Sequence, residues 1–172
     1  MPVKFQGDFF EKLKRIDNSY FLSKMTSEAG VIAVNFSKER FRQKQKNWID
    51  KTEEKWTPRK RERAGSLLVG PGSGRLKKSI HKFSEGKYYV LYGTDVPYAQ
   101  IHNEGGTIKA TARVREHSRK RKGRNQPIKV KSHTRQMNTK IPKRQFLGKS
   151  EALALLLEKH LYDKITDEIY RK

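Results

Sequence analysis

The chain has 172 residues, a formal net charge of +22 and an isoelectric point near 10.3, and it contains no cysteine. That length fits one domain with an appendage and a core of its own. A hydrophobic fraction of 34% and a mean hydropathy of −0.95 are low for a compact globule, so part of the chain is expected to be extended or ordered only in an assembly. Without cysteine there are no disulfides and no thiolate chemistry, a composition that suits a reducing cytoplasm. No apolar run approaches the ~20 residues that span a bilayer. The amino-terminal MPVKFQGDFFEKL lacks the long apolar core of a secretory signal, and no membrane partner is expected. So positive a field favours nucleic acid, an anionic protein or a negatively charged ring; the plain alternative is a solvated basic surface.

Residues 8–47 form the expected helical part. Asp8 suits an N-cap, and Phe9, Phe10, Leu13 and Ile16 make one apolar face. Asp17-Asn18-Ser19 interrupts it, and a longer helix is expected from about Ser23 to Asn47. Met25, Ala29, Ile32, Ala33 and Phe36 recur at three and four, with Lys38, Glu39, Arg42, Lys44 and Lys46 facing water. Gly30 is unfavourable in the middle of such a helix. Residues 48–74 lose the period: Trp56-Thr57-Pro58 with Arg59, Lys60, Arg61 and Arg63 reads as a surface loop anchored by Trp48 and Trp56, and Gly70-Pro71-Gly72-Ser73-Gly74 as a hinge.

Residues 75–148 are expected to hold the sheet. Leu76–Phe83 and Lys87–Gly93 read as strands joined by Ser84-Glu85-Gly86, with Tyr88, Val90 and Tyr92 on one face and Tyr89 and Leu91 on the other. Val96–Gly106, VPYAQIHNEGG, ends a strand and enters a short turn of helix. Pro97 can open that turn, Tyr98, Ile101 and His102 share one side of it, and Gly105-Gly106 frees the backbone to reverse. Thr107–Arg115 alternates again, placing Ile108, Ala110, Ala112 and Val114 opposite Lys109, Arg113 and Arg115; Ile128 and Val130 repeat the pattern. Residues 107–137 therefore predict a long β-hairpin arm with a basic tip. Pro142 holds Ile141 extended, and the chain then delivers Phe146 and Leu147 to the core. Residues 149–172 form the last helix, capped by Ser150. Its expected buried stripe is Leu153, Leu156, Leu157, Leu161, Ile165 and Ile169, with Glu151, Glu158, Asp163, Asp167 and Glu168 outside. The fold expected is α+β: an antiparallel sheet of about four strands with a basic hairpin arm, packed by the amino-terminal helices and the carboxy-terminal helix.

Little in this sequence suggests catalysis. A nucleotide loop needs Gly-Lys followed by Ser or Thr, whereas Gly74 is followed by Arg75 and Leu76. His81, His102, His117, His133 and His160 show no zinc-finger or His-Glu-x-x-His spacing. Asp95, His102 and Glu104 could in principle make a metal nuclease, but residues two apart on a helical turn do not face each other. No nucleophile elbow is present. No metal, cofactor or catalytic residue is assigned. The live chemical feature is the arm, where Arg113, Arg115, Arg119, Lys120, Arg121, Lys122, Arg124, Lys129 and Lys131 could bind duplex phosphates without reading sequence. No aromatic residue lies between Thr107 and Lys140, so stacking on single strands is not suggested. The other candidate partner is an acidic protein face; basic arm and acidic helix could complement each other between copies.

The order of these motifs resembles the virion-morphogenesis, or tail-completion, proteins of tailed bacteriophages. The resemblance rests on Trp56-Thr57-Pro58, Gly74-Arg75-Leu76, Ser79-Ile80, Gly93-Thr94, Tyr98-Ala99-Gln100-Ile101-His102, Gly105-Gly106 and Ile141-Pro142-Lys143-Arg144-Gln145-Phe146-Leu147-Gly148, and spans roughly residues 48–172. Two features depart from the family pattern: Asn103-Glu104 stands where a Gln-Phe type pair is expected, and the stretch between the central motifs is unusually basic. The resemblance implies a structural virion protein at the neck or tail end, assembled in the host bacterial cytoplasm. It also implies a homo-oligomeric ring of six or a related number, bounded by connector and tail-tube proteins around the DNA channel. Trp56, Tyr98, Ile101, His102, Gly105, Gly106, Pro142, Arg144, Phe146 and Leu147 would then hold the central fold or its subunit contacts. The competing reading is a free-standing basic nucleic-acid-binding protein.

Overall fold

Asn18 starts the second helix. Its side-chain Oδ1 accepts the Phe21 amide at 2.9 Å and its carbonyl accepts the Leu22 amide at 3.2 Å, an N-cap that starts α2 earlier than apolar spacing alone suggests. A computed structural model describes residues 9–42, 56–58, 66–69, 74–120, 123 and 126–170. Helix α1 is Phe9–Ile16 and α2 is Ser19–Arg42. Asp8, Trp48, the side chains of Phe9, Phe10 and Leu13, helix residues expected beyond 42, the basic residues 59–63 and the hinge up to Ser73 lie outside the described residues. The predicted inward row of α2 contains buried Met25 and Ala33, with Ala29, Ile32 and Phe36 half-buried; Gly30, Val34, Ser37 and Phe41 are buried as well.

The expected strand over Leu76–Phe83 is corrected. Arg75–Lys78 forms one helical turn, α3, and strand β1 begins only at His81, running to Glu85. Leu76 and Ile80 are both buried, and a spacing of four satisfies a helical turn and a strand face alike, so alternation could not separate the two. Strand β2 is Val90–Gly93, antiparallel to β1, with an irregularity between Lys82 and Ser84. The turn also moves. The Gly86 amide donates to the Tyr89 carbonyl at 2.9 Å, which leaves Tyr88 and Tyr89 exposed in the loop rather than on alternating strand faces.

Helix α4 is Ala99–Glu104. Beyond it, β3 (Gly106–Val114) pairs with β6 (His133–Ile141), and β4 (His117–Arg119) pairs with β5 (Ile128–Val130). The single sheet of about four strands is therefore corrected. Among the described residues the strands form three separate two-stranded ladders. The physical reason is α4 and its glycine break. Gly105 and Gly106 have φ of 77° and 150°, and they turn the chain away before β3 could extend the β1–β2 pair. The hairpin is also longer than residues 107–137, because its return strand reaches Ile141, and Ile128 and Val130 belong to the short outer pair.

Helix α5 is Glu151–Tyr170, capped by Ser150 Oγ, which accepts the Leu153 amide at 3.2 Å. Its expected stripe is half right. Leu153 is buried and Leu157, Ile165 and Ile169 are half-buried, whereas Leu156 and Leu161 are exposed. The helix lies across α2 and α1 along a line that includes His160, whose Nε2 is 2.7 Å from Glu28 Oε2 on α2. A polar contact thus occupies a position that periodicity reserves for leucine.

The main core gathers Val34, Phe41, Trp56, Leu76, Ile80, Val96, Ala99 and Phe146; a second cluster joins Ala33 and Leu153. Phe41 meets Trp56 edge-on at 5.7 Å and Phe146 at 5.1 Å between ring centroids, geometries that aromatic quadrupoles favour.

Candidate functional site

The residues of the ordered motifs converge on one place, around α4 and the extended segment after β6. Tyr98 flanks α4, and its ring meets that of His102 edge-on at 6.0 Å. Ile101 is half-buried, and its carbonyl accepts the Gly105 amide at 3.0 Å, closing the turn. A Cβ on Gly105 would lie 2.7 Å from the Lys143 nitrogen and 3.2 Å from the Ile141 carbonyl oxygen. The segment leaving β6 therefore runs directly over this glycine, and Pro142, half-buried, keeps it extended. Gly106 faces the Ile101 side chain, where a Cβ would meet Cδ1 at 2.9 Å.

Asn103 fastens the two pieces. Its Oδ1 accepts the amides of Phe146 and Leu147, both at 2.9 Å, and its Nδ2 donates to the Leu147 carbonyl at 3.2 Å. The Arg144 amide donates to the His102 carbonyl at 2.9 Å. An asparagine is suited to this work because its amide offers an acceptor and a donor in one plane. Sequence reasoning passed over Asn103 as a departure from the family pattern. The signal available was an asparagine two residues before Gly105 at the end of a short helical turn, facing a segment with no strand partner.

Arg144 and Trp56 tie the same segment to the loop. Arg144 is only 9% exposed; its Nε and Nη2 donate to the Thr57 carbonyl at 3.0 and 2.7 Å, and Nη2 also reaches the Pro58 carbonyl at 3.4 Å. Trp56 Nε1 donates to the Gln145 carbonyl at 3.1 Å from a ring that is 2% exposed. Phe146 is fully buried and Leu147 packs against the same core. Ser79 and Thr94, from two further motif pieces, share a hydroxyl–hydroxyl hydrogen bond of 2.5 Å, and Thr94 Oγ1 accepts the Val96 amide at 3.2 Å. Burial, then the Arg144 guanidinium, holds the His102 imidazole below its ordinary pKa of 6.5, and its Nδ1 is buried with no hydrogen-bond partner. The burial and the neighbouring guanidinium both disfavour the charged ring. The contacts at this hub tie α4, the segment after β6 and the residues around Trp56 to one another.

The basic residues lie elsewhere, on the hairpin. Arg113, Arg115, Arg119, Lys120, Lys129 and Lys131 are exposed, and Arg113 sits opposite Thr134 on the β3–β6 ladder. Lys129 Nζ pairs with Glu116 Oε1 at 2.8 Å. Arg121, Lys122 and Arg124 lie outside the described residues. Among the described residues no three His, Asp or Glu side chains converge as a metal site, and no helix is long and apolar enough to cross a membrane. Glu104 instead accepts from Gln100 Nε2 at 3.3 Å.

The model of the phage virion morphogenesis family matches residues 12–165, reaching further toward the amino terminus than the motifs at the hub. No curated protein and no solved structure matches the chain.

Proposed function

Since this chain belongs to the phage virion morphogenesis family, we propose that it is a structural component of the virion neck, completing the tail and joining it to the head-side connector. The working unit is a homo-oligomeric ring, taken as six-fold, with one face toward the tail tube, the other toward the connector, and a central channel for DNA. Its mechanism is geometric and involves no covalent chemistry. The observation that carries this reading is the hub itself. Trp56, Ser79, Thr94, His102, Arg144 and Phe146 come from widely separated motif pieces, and their contacts make a fixed joint. A hairpin of two nine-residue strands leaves directly from that joint. A rigid base with a projecting ribbon is what a ring subunit needs to reach its neighbours.

The second reading, a nucleic-acid-binding protein, is favoured by the net charge of +22 and by the exposed arginines and lysines of the hairpin. One experiment separates the two: the mass of the purified protein in solution, across a salt series, with and without duplex DNA. A closed ring, or a species indifferent to duplex at physiological salt, supports the neck. A monomer that binds duplex tightly, with log affinity falling steeply against log salt, makes the hairpin a DNA-binding device.

A further inference from the structure

We infer that the β3–β6 hairpin of one copy lies along helix α5 of a neighbouring copy, with the outward Leu155–Tyr162 face as its seat. This rests on the homo-oligomer proposed above and adds which two surfaces meet. The hairpin register puts Ile108, Ala110, Ala112 and Val114 on one face with Thr139, Met137, Arg135 and His133. Ile108 is 42% exposed, and the two strands pack chiefly on each other. An apolar row with an arginine among it is thus left open along the ribbon.

Helix α5 presents the counterpart. Its inner side packs on α1 and α2, while Leu155 is 65% and Tyr162 70% exposed. They are seven residues apart and so lie on one side of the helix, with Glu158 beside them. The charges are opposite. Between Gly106 and Ile141 the only carboxylate is Glu116, whereas α5 carries Glu151, Glu158, Asp163, Asp167 and Glu168 against Lys159 and Lys164. The lengths agree as well, since nine strand residues and twenty helical residues each extend about 30 Å. Duplex DNA would use the basic residues and leave the apolar row unmatched. Pairing hairpin to hairpin along their edges would set basic side chains against one another. The α5 face matches the row with Leu155 and Tyr162 and sets Glu158 against Arg135, while Lys109 and Arg113 lie on the ribbon's other face.

The test is a charge exchange read as mass against concentration, in the full chain. Arg135 and Glu158 are both exposed, so Arg135→Glu and Glu158→Arg should fold as the wild type does, checked by circular dichroism. Each alone places like charges across the contact and is expected to weaken association at least about tenfold. An equimolar mixture of the two variants restores both pairings and should associate like the wild type, as should the double variant. Loss in the single variants without recovery in the mixture would overturn the inference. Wild-type mass in both single variants would also overturn it while leaving the neck ring standing, built through other surfaces. A wild-type chain that stays monomeric at every concentration counts against the contact. So does an Arg135→Glu chain that loses duplex binding while Glu158→Arg keeps its mass, which would assign the ribbon to nucleic acid.

Discussion

Asn103 does with one side chain what a strand partner does over several residues. Truncating it leaves the Phe146 and Leu147 amides and the Leu147 carbonyl, all at 3.2 Å or less from it, without partners in a half-buried place. An ordinary hydrogen bond contributes about 1 kcal/mol net, and a polar group left unsatisfied costs more. Asn103→Ala is expected to lower the unfolding free energy by about 2–4 kcal/mol. The measurement is the urea midpoint at unchanged slope, and a wild-type midpoint would mean that the clamp holds nothing. His102 makes a second prediction, about pH. Its folded pKa is depressed below 6.5 by burial and by Arg144, so near and below that value the unfolded chain binds more protons than the folded one. Stability from this group is complete above pH 6.5 and falls as pH drops from there toward the folded value. Comparing wild type with His102→Gln across that window isolates the effect, since the variant should lose that part of the slope. Equal slopes would reject the neutral, buried imidazole.

At the scale of elements, Gly30 shows helix propensity overruled by packing. Within an isolated helix, Gly30→Ala should stabilise by about 1 kcal/mol. In the fold, a Cβ at residue 30 would meet Lys82 Cδ at 2.5 Å and Val90 Cγ2 at 2.7 Å, because α2 lies directly on the β1–β2 pair. The same contact is stitched by Thr26 Oγ1 donating to the Lys87 carbonyl at 2.8 Å and by Lys82 Nζ donating to Ser27 Oγ at 2.9 Å. Lys82 can swing aside; a β-branched valine cannot. Overpacking of this kind costs about 1–3 kcal/mol, so the melting temperature of Gly30→Ala should fall, and a rise would show that helix and ribbon slide apart freely. The glycine that looked like a weakness in the helix is where the sheet comes closest. Ser150, by contrast, was readable as a cap because capping depends on neighbours three residues away.

For the whole molecule, the division between hub and hairpin predicts separable losses. Val114 and His133 face each other on the last rung of the β3–β6 ladder, so replacing residues 115–132 by Asn-Gly closes the hairpin with a tight turn that suits its twist. That chain should keep the wild-type melting temperature within about 1 °C per few tenths of a kcal/mol of change, while failing to restore tail joining in a virion assembly reaction. Unfolding of the shortened chain would place the outer strands in the core. The amino-acid sequence by itself determined the helices with clear caps or periods, the reversal at Gly105-Gly106 and the burial of Trp56 and Phe146. It also carried the motif order that marks the family. Each of these depends on near neighbours or on a residue type with one physical use. Only the tertiary structure decided that the strands form separate pairs, that α3 is a helical turn, that Asn103 is the clamp, and which leucines of α5 stay outside. Those outcomes depend on which distant segment arrives at a given face, and a spacing of four or a single asparagine is consistent with more than one such arrival.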